Sequence, residues 1–291
     1  MDFKESLIKA GEIARKARDY AREITKENVK YIEVAEKVEK KINELGGKCA
    51  FPVDVSVNHI AAHDTPLHND ERILIKGDLV KIDLGVHVDG YVADTAVTVE
   101  IGTNLHKKLI EAAEKALNEA VKLAKPGTEI FEIGKIIQEE IVKHGFIPIK
   151  NLCGHGIKQY EVHTEPTIPN YNNNDKTKLE KDMIIAIEPF ATTGQGLIME
   201  GKNSSIYELI NLKNTRNFEA RKILKFIDEN YNKLPFCERW IIKEFGVKAQ
   251  FLLKQLENEK IIQQFTILPE KAKGMVSQAE HTILIGHGVI T

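Results

Sequence analysis

The segment KIDLGVHVDGYVADTAVTV, residues 81–99, sets two aspartates in apolar, strand-like runs on either side of a Val88-Asp89-Gly90 turn. Such a pattern predicts a β-hairpin. Whether its two-residue loop is 88–89 or 89–90, Asp83 and Asp94 fall on one face, opposed or diagonal, within reach of each other. Two carboxylates among apolar neighbours repel each other and resist burial unless a cation joins them; the competing reading leaves both in solvent. Glu188 in IIAIEPF and Glu280 in MVSQAEHTILI stand in equally apolar runs, where a glutamate is exposed, at an edge, or functional. His155 lies between glycines in CGHGIKQYEVH, which let the backbone come close to a ligand, although a histidine beside glycine is also a common turn residue. His163 begins another extended run, and His63 stands in NHIAAHDTP; the other histidines read as surface or structural residues. Two aspartates, two glutamates and one histidine form a hard, oxygen-rich set that suits a pair of ions such as Mn, Fe, Co or Zn. A bridged pair lowers the pKa of a shared water and polarises a peptide carbonyl, so the expected chemistry is metal-assisted amide hydrolysis.

The elements that must carry these residues are legible as periodic runs. Residues 3–24 and 30–45 read as amphipathic helices, the second stopping at Gly46-Gly47, and residues 105–124 and 129–144 repeat that plan. A shift of 99 positions superposes Ile32 on Phe131, Val34 on Ile133, Val38 on Ile137, Ile42 on Ile141 and Gly46 on Gly145. His63 precedes His163 by 100, close to the same offset, so one histidine from each half falls near the symmetry axis. Strand-like runs follow each helix pair, at Ala50–Val57 and Leu79–Ile101 and again at Phe146–Leu152 and Met183–Phe190. Two similar helix-plus-sheet halves predict an α+β domain with a pseudo-twofold axis. After Thr192 the pattern changes to polar loop and then to short helical runs at Phe218–Tyr231, Cys237–Phe245 and Ala249–Glu259, which reads as an inserted, mainly helical subdomain. The expected division is 1–193 for the first part of the catalytic domain, 194–272 for the insertion and 273–291 for the final strands.

Composition restricts the function classes. With 291 residues, 42% hydrophobic and 29% charged, and a formal net charge of -2, the chain is a globular protein with room for a substantial core. Lys213–Lys260 holds 11 Lys and Arg against 7 Asp and Glu, a mild excess that reads as a solvated helical surface, and no specific nucleic-acid partner is expected. The three cysteines, Cys49, Cys153 and Cys237, are odd in number and widely spaced, which suggests neither a disulfide framework nor a structural zinc site. With no secretory signal and no membrane span, a cytoplasmic location is expected.

The runs FPVDVSVNHIAAH, KIDLGVHVDGYVADTAVTV, NLCGHGIKQYEVH, IAIEPFATTGQG and QAEHTI resemble the successive motifs of type 2 methionine aminopeptidases in their archaeal form, from end to end of the chain. The resemblance implies the pita-bread fold, with the insertion as the winged-helix-like subdomain of type 2 enzymes. It implies that Asp83 binds one ion, that Asp94 and Glu280 bridge two, and that His155 and Glu188 complete the second. It further implies His63 and His163 as substrate-binding and catalytic histidines, and Phe51 as a wall of the methionine pocket. The implied reaction is removal of the initiator methionine from nascent chains with a small second residue, by a hydroxide bridging two divalent ions (Co, Mn, Fe or Zn). Peptides with N-terminal methionine are then the substrates, and contact with the ribosome is left open. Asp64 after His63, the pair Thr164-Glu165, and one extra residue before Glu188 depart from the family pattern. Two other readings compete: a pita-bread peptidase for X-Pro bonds, which usually carries an extra N-terminal domain, and a non-enzymatic binding protein of the same fold, which lacks the complete ligand set.

Overall fold

The computed structural model describes residues 2–291. The first half runs through α1 (Phe3–Ile24), α2 (Tyr31–Glu44), β1 (Lys48–Cys49), β2 (Asp54–Val57), β3 (Ile60–Ala62) and the long hairpin of β4 (Leu79–Val88) and β5 (Tyr91–Glu100). The second half repeats the plan with α3 (Lys107–Leu123), α4 (Ile130–Lys143), β6 (Ile147–Pro148), β7 (Cys153–Lys158), β8 (Glu161–Pro169), β9 (Ile184–Ile187) and β10 (Phe190–Thr192). Adding 99 to the bounds of α2 and β1 reproduces those of α4 and β6. The glycines just past the two helices, Gly46 and Gly145, share a φ of +85°, the left-handed helix ending that glycine adopts without a Cβ penalty.

Each half packs its helices on one sheet. From α1, Ala10, Ala14, Ala17 and Ala21 are fully buried, and this stripe of small side chains lets the helix lie close on the β4–β5 hairpin. Val34, Val38 and Ile42 of α2 join the same core as Val80, Ile82 and Leu84 of β4. In the second half Ala112, Ala116 and Ala120 of α3 and Ile133, Ile137 and Ile141 of α4 pack with Ile185 and Ile187 of β9. Burial of each such Val or Ile contributes roughly 1.5–3 kcal/mol against chain entropy. The α+β class expected from the sequence is the observed one.

The chain then builds a three-stranded antiparallel sheet of β11 (Asn203–Leu209), β12 (Phe236–Cys237) and β13 (Ile262–Thr266), covered by α5 (Phe218–Tyr231), α6 (Glu238–Phe245) and α7 (Ala249–Asn258). These elements have a core of their own, which includes Ile223, Ile227, Phe236, Ile241 and Leu253. They dock on α2 through a buried ion pair: Arg239 donates to both oxygens of Glu39 at 2.7 and 2.8 Å, and the Trp240 indole donates to Glu39 at 3.0 Å. Four short strands complete the chain: β14 (Leu268–Pro269), β15 (Val276–Gln278), β16 (His281–Leu284) and β17 (Gly288–Val289).

Two sheets matter for function. In the first, β4 pairs with β5 along one edge and with β1 and β2 along the other, all antiparallel. In the second the order is β17-β16-β9-β7-β8. Two expected strands are shorter than their apolar runs: within 50–57 the strand is Asp54–Val57, since Pro52 has no N–H for the ladder although Ala50 still donates to the Gly85 carbonyl at 2.8 Å, and within 146–152 it is Ile147–Pro148, with Ile149 donating to the Phe190 carbonyl at 3.0 Å. Among the described residues no helix is long and apolar enough to cross a membrane.

Candidate metal centre

Register brings the aspartates together. Val88 pairs with Tyr91, so the hairpin loop is Asp89-Gly90, and both have positive φ (51° and 83°) as a type I′ turn requires. Asp94 then opposes Gly85, and Asp83 opposes Ala96, which sets the two aspartates diagonally on one face. On the second sheet His155 pairs with Ala186, and Glu188, two residues on, shares its face. His281 pairs with Ile187, so Glu280 and Glu188 leave their strands side by side.

Threonines join the sheets where no backbone ladder does. The Thr282 hydroxyl accepts from the Asp94 N–H at 2.7 Å and donates to the Asp94 carbonyl at 2.9 Å. Thr95 donates to the Glu280 carbonyl at 2.9 Å, and Thr98 to the Gln278 carbonyl at 2.6 Å. The Gln278 side chain donates to Asp83 at 2.9 Å, and Arg18 of α1 donates to Thr95 at 2.6 Å from behind. Gln278, Thr282 and Arg18 were invisible in the sequence, since each acts across a large sequence separation.

The donor set fits divalent cations. Single ligand atoms of Asp94, His155 and Glu280 lie within 4.8 Å of one another, and the His155 Nε2 is 3.8 Å from Asp94 and 3.6 Å from Glu188. The His155 Nδ1 lies 3.2 Å from the Gly156 carbonyl, which only an N–H can satisfy, so that nitrogen carries the proton and Nε2 turns a lone pair toward the carboxylates. Lone pair facing carboxylate is repulsive without a cation between. Buried Asp83 Oδ1, Asp94 Oδ1 and Glu280 Oε2 have no hydrogen-bond partner. Burial and then the neighbouring carboxylates push Asp94, Glu188 and Glu280 well above the usual carboxylate range. Burial lifts Asp83 to about 6, with the Gln278 bond pulling the other way. A divalent ion reverses that balance, because it supplies the charge that burial has removed from reach of water.

One cavity of about 220 Å³ gathers the remaining candidates. Phe51, His63 and His163 line it together with Asp83, Asp94, His155, Glu188 and Glu280. The Phe51 ring rests on Gly85, where an added Cβ would lie 2.3 Å from the ring. Burial, then the charge of His163, lowers His63 to about 4, and its Nδ1 lies 3.2 Å from the Thr266 carbonyl, which leaves Nε2 as an acceptor. His163 stands edge-on to His155 with ring centroids 4.5 Å apart; it is open to the cavity, yet the protein crowded around its other sides lowers its pKa. The layer of β11–β13 supplies Ile206 and Phe265, and the turn before β12 supplies Pro235, to the same cavity. Cys153 also lines it, but burial and Glu188 raise its thiol to about 11, so it is a poor nucleophile at neutral pH.

Several sequence readings change in detail. Gly154 and Gly156 make room for neighbouring strands, not for a ligand: an added Cβ would lie 2.2 Å from the Ala186 carbonyl oxygen and 2.3 Å from that of Glu165. Asp64 turns away from the cavity into a two-pronged contact with Arg72, at 2.7 and 3.0 Å. Asp54 was missed. It lines the cavity as a buried carboxylate, and the sign was available in FPVDVSV, an acid in an apolar strand like those at Glu188 and Glu280.

Residues 5–222 match the model of metallopeptidase family M24. The chain is 44% identical over 290 residues to a methionine aminopeptidase of Archaeoglobus fulgidus, covering 100% of this chain and 98% of that protein. The structure of a thermophilic Arx1 superposes with a TM-score of 0.84 at 17% identity, over 97% of this chain and 88% of the other. The crystal structure of a methionine aminopeptidase from Thermotoga maritima gives 0.71 at 24%, over 99% and 95%. At those identities the structural matches speak for the fold alone, which is the expected pita-bread fold. An M24 peptidase works with divalent metal, and the carboxylate and imidazole cluster described above is a candidate site for it. The sequence match extends over the whole chain, and with it the chain belongs to metallopeptidase family M24 and, within that family, to the methionine aminopeptidases of the archaeal type.

Proposed function

We propose that the chain hydrolyses the first peptide bond of polypeptides that begin with methionine and carry a small second residue. The observation that carries this reading is the convergence of five metal-type ligands, two neutral histidines and an aromatic wall on one small cavity. Asp83, Asp94, His155, Glu188 and Glu280 would hold two divalent ions (Co, Mn, Fe or Zn). When bound, the ions activate a water and polarise the scissile carbonyl.

The chain's own residues do the rest. Phe51, backed by Gly85, gives the methionine side chain an apolar wall, which Ile206, Pro235 and Phe265 extend from the insertion. At about 220 Å³ the cavity is smaller than the roughly 300–1,000 Å³ of pockets for drug-sized ligands, which suits one residue and excludes a bulky neighbour. His63, with its proton on Nδ1, offers Nε2 to an N–H of the substrate backbone. His163, neutral and open to the cavity, donates to the carbonyl oxygen as negative charge develops there. No Lys or Arg lines the cavity among the described residues, so His163 is the chain's own donor to that charge.

The division into 1–193 with 273–291 and an insertion at 194–272 belongs to the same reading; the separate core of β11–β13 and α5–α7 supports it. Action on nascent chains in the cytoplasm, at the ribosome, extends it further. The test is kcat/KM for Met-Ala-Ser against Met-Trp-Ser. A preference of at least about tenfold for alanine is expected, in line with pocket discrimination of 1–3 kcal/mol; equal values would refute the small-residue gate.

A further inference from the structure

Away from the metal centre, a second cavity of about 280 Å³ opens where the chain enters and leaves the β11–β13 layer. The two crossings run side by side: Gly201 donates to the Ile267 carbonyl at 2.8 Å, Met199 to that of Pro269 at 3.0 Å, and Lys271 to that of Leu197 at 2.8 Å. β14 then pairs with β3, and Ile60 of β3 joins the cavity wall. Adjacent residues serve different cavities here, His63 the reaction cavity and Asp64 this one. None of the lining residues belongs to the ligand set or has a role in the reaction proposed above.

The charge of this cavity is lopsided. Lys202 lines it from the entering crossing, Lys271 and Lys273 line it from the leaving one, and no ion pair among the described residues includes any of the three. Both carboxylates on the wall are already engaged. Asp64 accepts two bonds from Arg72, at 2.7 and 3.0 Å, and so takes up the charge of that guanidinium. Glu270, 1% exposed, accepts the N–H groups of Gln195, Ala272 and Gly274 at 2.5, 2.7 and 2.9 Å. Three ammonium groups against the one remaining carboxylate leave an excess of two positive charges. The field is felt at His59 on the same wall, whose pKa burial lowers first and Lys81 and Lys273 lower further. The lysines are also held in place. The bonds to Glu270 wind residues 270–274 into a turn, which the Lys273 N–H closes by donating to the Glu270 carbonyl at 3.0 Å. Lys273 takes a φ of +59° there, a conformation in which glycine is the usual resident. A backbone outlier that keeps a long cationic side chain at a cavity wall points to a ligand for that cation.

We propose that this cavity binds the phosphate group of a small phosphate monoester. A dianion matches the two excess charges, and lysines are the point charges that hold phosphate where no bidentate fork is needed. With Asp64 and Glu270 saturated, the wall offers a cation no free carboxylate. The volume leaves room beside the phosphate, and Ile60, Met199 and Ile267 give the organic remainder an apolar wall. Once bound, the phosphate ties Lys202 on the entering crossing to Lys271 and Lys273 on the leaving one.

The experiment measures Kd by calorimetry for glycerol 3-phosphate, inorganic phosphate and glycerol, at low salt, on Mn-loaded protein freed of excess metal. Glycerol 3-phosphate should bind one per chain and at least as tightly as inorganic phosphate, and glycerol should not bind. Lys202→Gln combined with Lys273→Gln should weaken glycerol 3-phosphate about tenfold, the loss of two exposed charge contacts, with Tm unchanged in the absence of ligand. Lys115→Gln, at an exposed lysine of α3 outside the cavity, should leave the affinity as it was. Methionine release stays at its original rate in all three lysine substitutions, since none of them lines the reaction cavity. Binding that does not saturate, or an affinity that survives the double variant, would overturn the proposal, the second because the phosphate is then held at the metals. Equal weakening by Lys115→Gln would overturn it too, by reducing the effect to net charge. A short oligouridylate that binds more tightly than glycerol 3-phosphate, and loses that affinity in the double variant, would refute the small-molecule assignment.

Discussion

Glu39→Ala removes one partner of the ion pair that fastens α6, and with it the β11–β13 layer, to α2. The Arg239 side chain is 4% exposed and that of Glu39 10%, and both guanidinium contacts are within 2.8 Å. The substitution leaves a buried guanidinium and the Trp240 indole N–H without their acceptor. Breaking a buried pair from one side costs about 3–5 kcal/mol, mostly the desolvation of the charge left behind. For a chain of this size that is roughly 6–20 °C in Tm. The consequence reaches the cavity because the β11–β13 layer carries Ile206, Pro235 and Phe265 to its wall. The variant should therefore raise KM for Met-Ala-Ser more than it lowers kcat. Thermal scanning and steady-state kinetics on one preparation measure both, and Glu39→Leu with Arg239→Met should recover most of the Tm by replacing charge with apolar volume. A Tm within about 2 °C of the unaltered protein, or a double variant less stable than Glu39→Ala, would refute the docking account.

Other outcomes are as specific. Asp94→Ala and Glu280→Ala should each lower bound metal and turnover sharply, whereas Asp64→Ala, which leaves Arg72 paired with Asp70, should keep its metal; equal metal content in all three rejects the ligand assignment. His163→Ala should cost on the order of 10²–10³ in kcat with metal content and KM nearly unchanged, and a kcat within a few-fold of the original makes the residue structural. NMR titration of His63 should show a neutral ring down to about pH 5 and a midpoint near 4, because burial and His163 disfavour the charged form. The unfolded chain takes up that proton near pH 6.5, so His63 contributes stability above that pH and loses it as the pH falls toward 4. A midpoint near 6.5 contradicts the buried, neutral acceptor.

The fold was legible where the pattern is local and strong. Helical periodicity and the Gly46 and Gly145 stops located the repeat, and the Val88-Asp89-Gly90 turn announced a hairpin in which either two-residue loop brings Asp83 and Asp94 onto one face, while the register itself came from the structure. Non-local pairing was not legible. Asp54 meets Asp83 only because β2 returns along the free edge of β4, and nothing within the run FPVDVSV indicates that partner. The threonine bridges from β5 to β15 and β16 couple Thr95 and Thr98 to residues about 180 positions away, and a threonine in a strand is otherwise an ordinary β-former. The glycines around His155 misled because the same small residue serves close approach by a ligand and by a neighbouring strand.

In the function proposed here, these carboxylates and His155 hold the ions on which methionine release depends. Metal-stripped protein titrated with Mn²⁺ under anaerobic conditions, with bound metal and methionine release from Met-Ala-Ser read on the same samples, tests it directly. Activity should be absent without metal and rise with occupancy of the site, and Asp94→Ala should neither bind the ion tightly nor gain activity. Full release of methionine by protein shown to be metal-free would contradict the account.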